Sequence, residues 1–127
     1  MKTFYFDKDM AQHIELGKQG EQLAVNWLVE KGYSILHRNW RYGKYELDII
    51  AINNGLLHVI EVKVRSSTTF GFPELNVSKK KFNSVKAGAE EFLFLHPEYP
   101  NIQFDILSIN IVNGNENEFF FIEDVFL

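Results

Sequence analysis

The stretch that decides the fold is Glu46-Leu47-Asp48-Ile49-Ile50, followed after an Asn53-Asn54-Gly55 turn by Val59-Ile60-Glu61-Val62-Lys63. Both segments alternate charged with apolar residues, which is the period of a β-strand whose successive side chains point to opposite faces. The Asn-Asn-Gly turn predicts that the two strands form a hairpin. Such a hairpin would bring two carboxylates and an ammonium group together at one end of a sheet.

Two carboxylates beside an ammonium group suit a hard divalent cation that binds next to a phosphate. Mg²⁺ takes one or two carboxylates and keeps its other positions for water and phosphate. We therefore expect Asp48 and Glu61 to bind Mg²⁺ or Mn²⁺, with a backbone carbonyl near Val62 as a further ligand. The ion would polarise a phosphoryl oxygen and lower the pKa of a bound water. Lys63 would orient that water or neutralise charge that builds on the phosphate, so the pattern predicts a nuclease.

The alternative is that these charges form the solvated face of a strand pair, with Lys63 pairing Glu61 along the strand, as most charged residues lie at the surface. The neighbouring residues are strongly apolar, however, so the charges interrupt runs that read as buried. Buried carboxylates are costly unless they are paired or bind a metal. The two acids are also predicted on adjacent strands, within reach of one ion.

The composition is that of an ordinary globular protein. The chain has 127 residues, of which 46% are hydrophobic and 24% charged, and we expect one domain over residues 1–127. It has no Cys, which excludes disulfides, thiol catalysis and cysteine-ligated zinc and fits the cytoplasm. The first ten residues show no signal-peptide pattern, and no apolar run approaches the ~18 residues of a membrane span. The net charge of −4 counts against nucleic-acid binding.

The periodicity predicts an α/β domain in the order α-β-β-β-α-β-β. Helices are expected at residues 9–31, ended by Gly32, and at 79–95, capped by Ser78. Strands are expected at 33–38, 45–52, 56–64, 104–112 and 118–122, the last two joined around Asn113-Gly114, with a loop at 66–76. A right-handed βαβ unit would make the third and fourth strands a parallel pair. The sheet is then mixed, with helices packed on it and the third strand central.

The segment Gly17-Lys18-Gln19-Gly20-Glu21 places two glycines three residues apart in the first helix. Each costs ~1 kcal/mol in a helix relative to Ala, so the spacing indicates close packing of the helix on the sheet. A functional interpretation is that this approach lets Glu21 reach the metal ion.

Two basic segments offer contacts to a phosphate backbone. In the stretch from Arg38 to Lys44, Arg38, Arg41 and Lys44 could contact phosphates while an aromatic residue between them stacks on a base. The alternative is a polar loop with one buried Trp. Lys79-Lys80-Lys81 opens the second helix, where cations oppose the helix dipole unless a group such as phosphate compensates them. A solvated face is the alternative there, and Lys81 is the lysine best placed to point inward. The four histidines are scattered, and we assign them no role.

Taken together, these segments resemble the YraN-like family of bacterial proteins. The matching motifs are Gly17-x-x-Gly20-Glu21-x-x-Ala24, Arg38-Asn39-Trp40-Arg41, Glu46-Leu47-Asp48-Ile49-Ile50-Ala51, Glu61-Val62-Lys63-x-Arg65-Ser66-Ser67, Val77-Ser78-x-x-Lys81 and Phe104-Asp105. That family is assigned to the PD-(D/E)XK, restriction-endonuclease-like superfamily, near archaeal Holliday-junction resolvases. One departure is Tyr45, where the family usually has Gly.

The resemblance implies a restriction-endonuclease-like fold with Asp48 and Glu61 as metal ligands, Lys63 as the catalytic lysine and Glu21 as an assisting acid of the first helix. Lys81 would be an auxiliary basic residue. The expected contacts to nucleic acid are Arg38, Arg41, Lys44, Arg65 and Lys81.

Three functions follow as hypotheses. The first is a Mg²⁺-dependent endonuclease acting on DNA, including branched or damaged DNA, and working as a homodimer by analogy with the resolvases. The second is a nuclease-fold module that binds nucleic acid or protein with little or no turnover, which the negative net charge favours. The third is a structural protein whose Phe119-Phe120-Phe121-Ile122 strand forms an edge for a partner.

Overall fold

The computed structural model describes residues 8–67, 77–112 and 116–125. The elements follow the predicted order, and the mixed α/β architecture is confirmed. They are helix α1 (Lys8–Glu30), strands β1 (Ser34–Tyr42), β2 (Tyr45–Asn53) and β3 (Leu56–Ser67), helix α2 (Lys79–Leu95), and strands β4 (Ile102–Val112) and β5 (Glu118–Ile122). Within these ranges, neither helix has the length and apolar composition required to cross a bilayer.

The five strands form one sheet in the order β1-β2-β3-β4-β5. β3 and β4 run parallel, joined through α2, and the other neighbours are antiparallel. β3 is therefore the central strand, as predicted. The β2–β3 turn is also confirmed, because Asn54 and Gly55 both have positive φ, at 52° and 76°, which a two-residue hairpin turn of type I′ requires.

The first strand is longer than its sequence predicts. The sequence predicts a loop between Arg38 and Tyr45, but β1 runs to Tyr42 and pairs with β2 up to Tyr45. Only Gly43 and Lys44 form the turn. The mixture of bases and aromatics reads as a loop because β1 is an edge strand with much of its surface exposed. Most of the predicted 66–76 loop and the Asn113-Gly114 turn lie outside the described residues.

The sheet carries an apolar core on each face. One core packs under α1 and includes Ala24, Leu28, Ile49, Ile60 and Leu107. The other packs under α2 and includes Leu47, Ile50, Val59, Val85 and Phe92. Each helix thus buries one apolar stripe on the sheet.

The predicted close approach of α1 is confined to one of its two glycines. Gly20 is buried, and a Cβ added there would lie 2.9 Å from Cβ of Val64 on β3 and closer still to its methyl groups. A Cβ at Gly17 would meet nothing within 4 Å. Gly20 therefore sets the distance between α1 and the sheet, whereas Gly17 does not.

Candidate metal centre

The sheet forks between β2 and β3, and the predicted acid pair lies in that fork. The ladder between the two strands runs from Asn53–Leu56 to Ile49–Ile60 and stops there. Beyond it β2 continues paired with β1, while β3 continues paired with β4 to Ser67. Asp48 and Glu61 are the first residues past the last pair, one on each arm. The fork therefore directs two carboxylates into one space between the strands.

Strand alternation breaks at Asp48. Leu47 packs in the core under α2, whereas Ile49 packs in the core under α1, although residues two apart in a regular strand share a face. The β1–β2 ladder pairs Arg38 with Ile49 and Trp40 with Leu47 but skips Asp48 and the residue opposite it, Asn39. The local turning of the strand thus frees Asp48 from the ladder.

Asp48 is held in the fork by the backbone of the opposite arm. Its Oδ2 accepts a hydrogen bond of 2.9 Å from the backbone N–H of Val62. Burial raises the pKa of the Asp48 carboxyl above its ordinary value, and the Val62 hydrogen bond offsets part of that rise. The hydrogen bond fixes one carboxylate oxygen and orients the other.

Glu61 is almost fully buried, with 4% of the residue exposed. Its Oε1 lies 3.0 Å from Nζ of Lys81 at the start of α2, while its Oε2 is buried and accepts no hydrogen bond within the described residues. Burial, followed by the charge of Asp48, raises the pKa of the Glu61 carboxyl to about 7. The negative charge of Asp48 therefore makes ionisation of Glu61 more costly.

This donor set fits a small divalent cation. Two carboxyl groups held together in a buried fork repel each other when ionised, and a dication neutralises both. Within residues 8–67, 77–112 and 116–125, no group of three or more Asp, Glu or His side chains is arranged to bind a metal. Two carboxylates with water and phosphate in the remaining positions is the arrangement that Mg²⁺ usually takes in proteins.

Glu21 lies near the acid pair but is engaged elsewhere. It lines a cavity of about 410 Å³ together with Asp48, between α1 and the strands; the other lining residues are Ile14, Leu16, Gly17, Lys18, Val62 and Val64. Its carboxylate accepts hydrogen bonds from Nδ2 of Asn39, at 2.9 and 3.0 Å, and from Nε of Arg38 at 3.2 Å. The structure therefore ties Glu21 to β1 at Arg38 and at Asn39, the residue opposite Asp48.

The expected cationic residues fall into two groups around the fork. Lys63 and Arg65 lie beyond Glu61 on β3 and are half-buried. Lys81 reaches the fork from α2 and is paired with Glu61, so the compensating group for this lysine is a carboxylate of the chain itself.

The basic and aromatic residues of β1 make contacts within the chain. Arg38 pairs with Glu21, and Arg41 lies 3.3 Å from Glu46. The Trp40 ring packs edge-on against Phe92 of α2, with ring centroids 5.3 Å apart, and stacks on Tyr42. Trp40 thus packs, partly buried, against the core under α2, but it lies in a strand and not in the polar loop of the alternative interpretation. Lys44, also expected to contact phosphate, lies over the Tyr45 ring.

Sequence reasoning missed a buried polar network. His58, to which the sequence assigned no role, is 4% exposed, and its Nδ1 lies 2.7 Å from Oδ2 of Asp105. Oδ1 of Asp105 accepts hydrogen bonds from Nε2 of Gln103 and from the backbone N–H of Asp124. The network ties the segment after β5 to β3 and β4. The available signals were the position of His58 in an apolar strand and the Phe104-Asp105 motif.

A comparison with family models matches residues 20–109 to the uncharacterised protein family UPF0102. The chain belongs to this family. The matched range includes Glu21, Asp48, Glu61, Lys63 and Lys81. The predicted resemblance to the YraN-like family is thereby confirmed.

Relatives in the family align over most of the chain. A UPF0102 protein of Phocaeicola vulgatus is 46% identical over 100 residues, which cover 79% of this chain and 83% of the relative. One from Bacteroides thetaiotaomicron is 44% identical and covers 84% of this chain and 88% of the relative. One from Thermodesulfovibrio yellowstonii is also 44% identical and covers 84% and 97%.

Among solved structures, the chain is similar to Hjc of Archaeoglobus fulgidus, a Holliday junction resolvase from an archaeal hyperthermophile. The superposition has a TM-score of 0.48 and 17% sequence identity, and it covers 81% of this chain and 74% of the other.

Proposed function

We propose that this chain is a Mg²⁺- or Mn²⁺-dependent endonuclease that hydrolyses phosphodiester bonds in DNA, with branched or damaged DNA as its substrate class. The observation that carries the proposal is the fork of the sheet, where the partly buried Asp48 lies beside the buried Glu61 and Lys81 pairs with Glu61. Carboxyl groups whose pKa values are raised by burial, as those of Asp48 and Glu61 are, are typical of functional sites. The proposal includes a cytoplasmic location, and a homodimer in which two sites cut two strands.

The residues of the fork take distinct roles. Asp48 and Glu61 would hold the cation, which when bound polarises the phosphoryl group and makes water more acidic. Lys63 lies two residues beyond Glu61 on β3 and would stabilise the charge that builds on the phosphate as water adds to phosphorus and the bond to the leaving oxygen breaks. Glu21 assists from the cavity wall through its contacts with Asn39 and Arg38. Arg38, Arg41, Lys44 and Arg65 would contact the phosphate backbone.

Cleavage assays test the proposal. Purified protein should cut duplex, flap or four-way-junction DNA in Mg²⁺ or Mn²⁺ and lose the activity in EDTA. Lys63→Ala should lower the rate by about 10- to 1,000-fold, because removal of one group that stabilises transition-state charge has an effect of this order. Lys86→Ala, an exposed lysine on α2, is the matched control and should cut at the wild-type rate. Equal rates for the Lys63 and Lys86 variants would contradict the role of Lys63.

The net charge of −4 favours a second candidate, a nuclease-fold module that binds DNA or protein with little or no turnover. The salt dependence of DNA binding separates the two partners. Binding through phosphate contacts weakens steeply as salt rises, whereas a module for protein partners shows no DNA binding at any salt. DNA binding with a steep salt slope, unaccompanied by cleavage in any divalent metal, would favour the binding module.

A further inference from the structure

Lys81, which pairs with Glu61, has its backbone held at the helix cap and its side chain half exposed. Lys81 is the third residue of α2, and its backbone N–H is held at 3.1 Å by the side-chain oxygen of the helix cap Ser78. Its side chain is 49% exposed, whereas that of Glu61 is 5% exposed. Any exchange of partners at Glu61 must therefore come from movement of the ammonium group, because the carboxylate is enclosed.

Electrostatics favours Lys81 beside the two acids when no metal is bound and disfavours it there once a dication is bound. A cation in the first turn of a helix opposes the helix dipole, and Glu61 offsets that cost. Partial burial lowers the pKa of Lys81, but the hydrogen bond with Glu61 and the charges of Glu61, Asp48 and Glu46 outweigh it and raise the pKa. The charges of a dication and two carboxylates sum to zero. Lys81 beside them would add one uncompensated positive charge.

We infer that Lys81 is a built-in counter-ion of the acid pair. Without a metal, its ammonium pairs with Oε1 of Glu61. A divalent metal would displace the ammonium from that oxygen, and the ammonium would then contact a DNA phosphate. This inference rests on the proposed function. It adds an order of events, because metal binding would precede full DNA binding. It also assigns Lys81 alone, among the three lysines that open α2, a role coupled to the metal.

Metal titration of a charge-removed variant tests the exchange. Lys81→Met retains most of the aliphatic stem and removes the competing charge, so calorimetry should show Mn²⁺ binding about three- to fivefold tighter than wild type, as expected for the loss of one partly exposed ion pair. DNA binding in Ca²⁺ should weaken by about fivefold or more in the same variant. Lys86→Met, which removes an exposed charge farther along α2, is the matched control and should change neither affinity by more than about twofold.

A second measurement uses the wild-type protein and so does not depend on a variant. Acylation of lysine amines, resolved by mass spectrometry, should proceed faster at Lys81 in saturating Mg²⁺ than in EDTA, with Lys80 as an internal control that does not change. Unchanged or slower labelling of Lys81 would overturn the inference, as would Mn²⁺ binding by Lys81→Met that is no tighter than wild type. If wild-type protein binds Mn²⁺ and these effects are absent, only the inference fails. If wild-type protein binds no Mn²⁺, the proposed metal site fails with it.

Discussion

Replacing Glu61 by Gln should reduce metal-dependent DNA cleavage by at least about a hundredfold while making the folded chain more stable at pH 8. Loss of a metal ligand removes several kcal/mol of transition-state stabilisation, and each 1.36 kcal/mol is a factor of ten in rate. The rate measurement is made under single-turnover conditions on the best DNA substrate. Asp48→Asn should show a loss of the same order, because both acids would ligate the cation.

The gain in stability follows from the pKa of the same carboxyl group. Folding raises the pKa of Glu61 from 4.5 to about 7. Below about pH 4.5 the group is protonated in both folded and unfolded chains, so it costs nothing. As the pH rises to about 7, the unfolded chain releases this proton before the folded chain does, and stability falls; above that pH the loss is complete. The shift corresponds to about 3 kcal/mol.

Glu61→Gln should remove that pH-dependent loss. The pKa of about 7 already includes the opposing effect of the pair with Lys81, which the substitution also removes. A net gain of about 3 kcal/mol is therefore expected in urea unfolding at pH 8 in EDTA, with little change at pH 4.5. Glu90→Gln, on the exposed side of α2, is the control and should alter neither stability nor cleavage. A Glu61→Gln protein that is less stable than wild type at pH 8 would contradict the buried acid pair.

Gly20→Ala should destabilise the fold by about 2 to 3 kcal/mol. The added methyl would overlap the side chain of Val64, whose β-branched atoms lie close to the β3 backbone and cannot swing away. Overpacking of this kind typically costs about 1–3 kcal/mol and shifts the elements concerned. Because Gly20 precedes Glu21 and packs against the strand that carries Glu61, the displacement should also lower Mn²⁺ affinity.

Two variants make the Gly20 result specific. Gly17→Ala lies in the same helix with open space around it, so it should be neutral or stabilising by up to ~1 kcal/mol through helix propensity. Val64→Ala should recover part of the stability of Gly20→Ala in the double variant, because it removes the methyl groups that clash. Equal effects of Ala at positions 17 and 20 in chemical denaturation would show that α1 does not approach the sheet as described.

Local signals predicted most of the fold. Period-two alternation and the Asn54-Gly55 turn gave the central hairpin, Ser78 marked the start of α2, and β5 spans Glu118–Ile122 as expected. Each of these depends on residues close together in the chain. The sequence predicts a β1 that ends too early, because the exposed edge carries Arg, Asn and Trp residues that are typical of a loop. The left-handed backbone of Asn39, with φ of 51°, also has no clear signature in the sequence.

The candidate site was predicted in its residues but not in its arrangement. Alternation indicates the face on which a side chain lies, yet it does not show where two paired strands part, so the fork past Ile49 and Ile60 could not be read from the pattern. The pairing of Glu61 with Lys81 and of His58 with Asp105 joins residues far apart in the chain. Such contacts depend on how α2 and β4 pack, which no local spacing encodes.

The most direct test of the account is a crystal of the wild-type protein soaked in Mn²⁺ and measured at the manganese absorption edge. We expect an anomalous peak in the fork between the carboxylates of Asp48 and Glu61, with the Lys81 ammonium moved away from Glu61. An ordered fork without a peak at a Mn²⁺ concentration that supports DNA cleavage, or a peak at another site only, would contradict it.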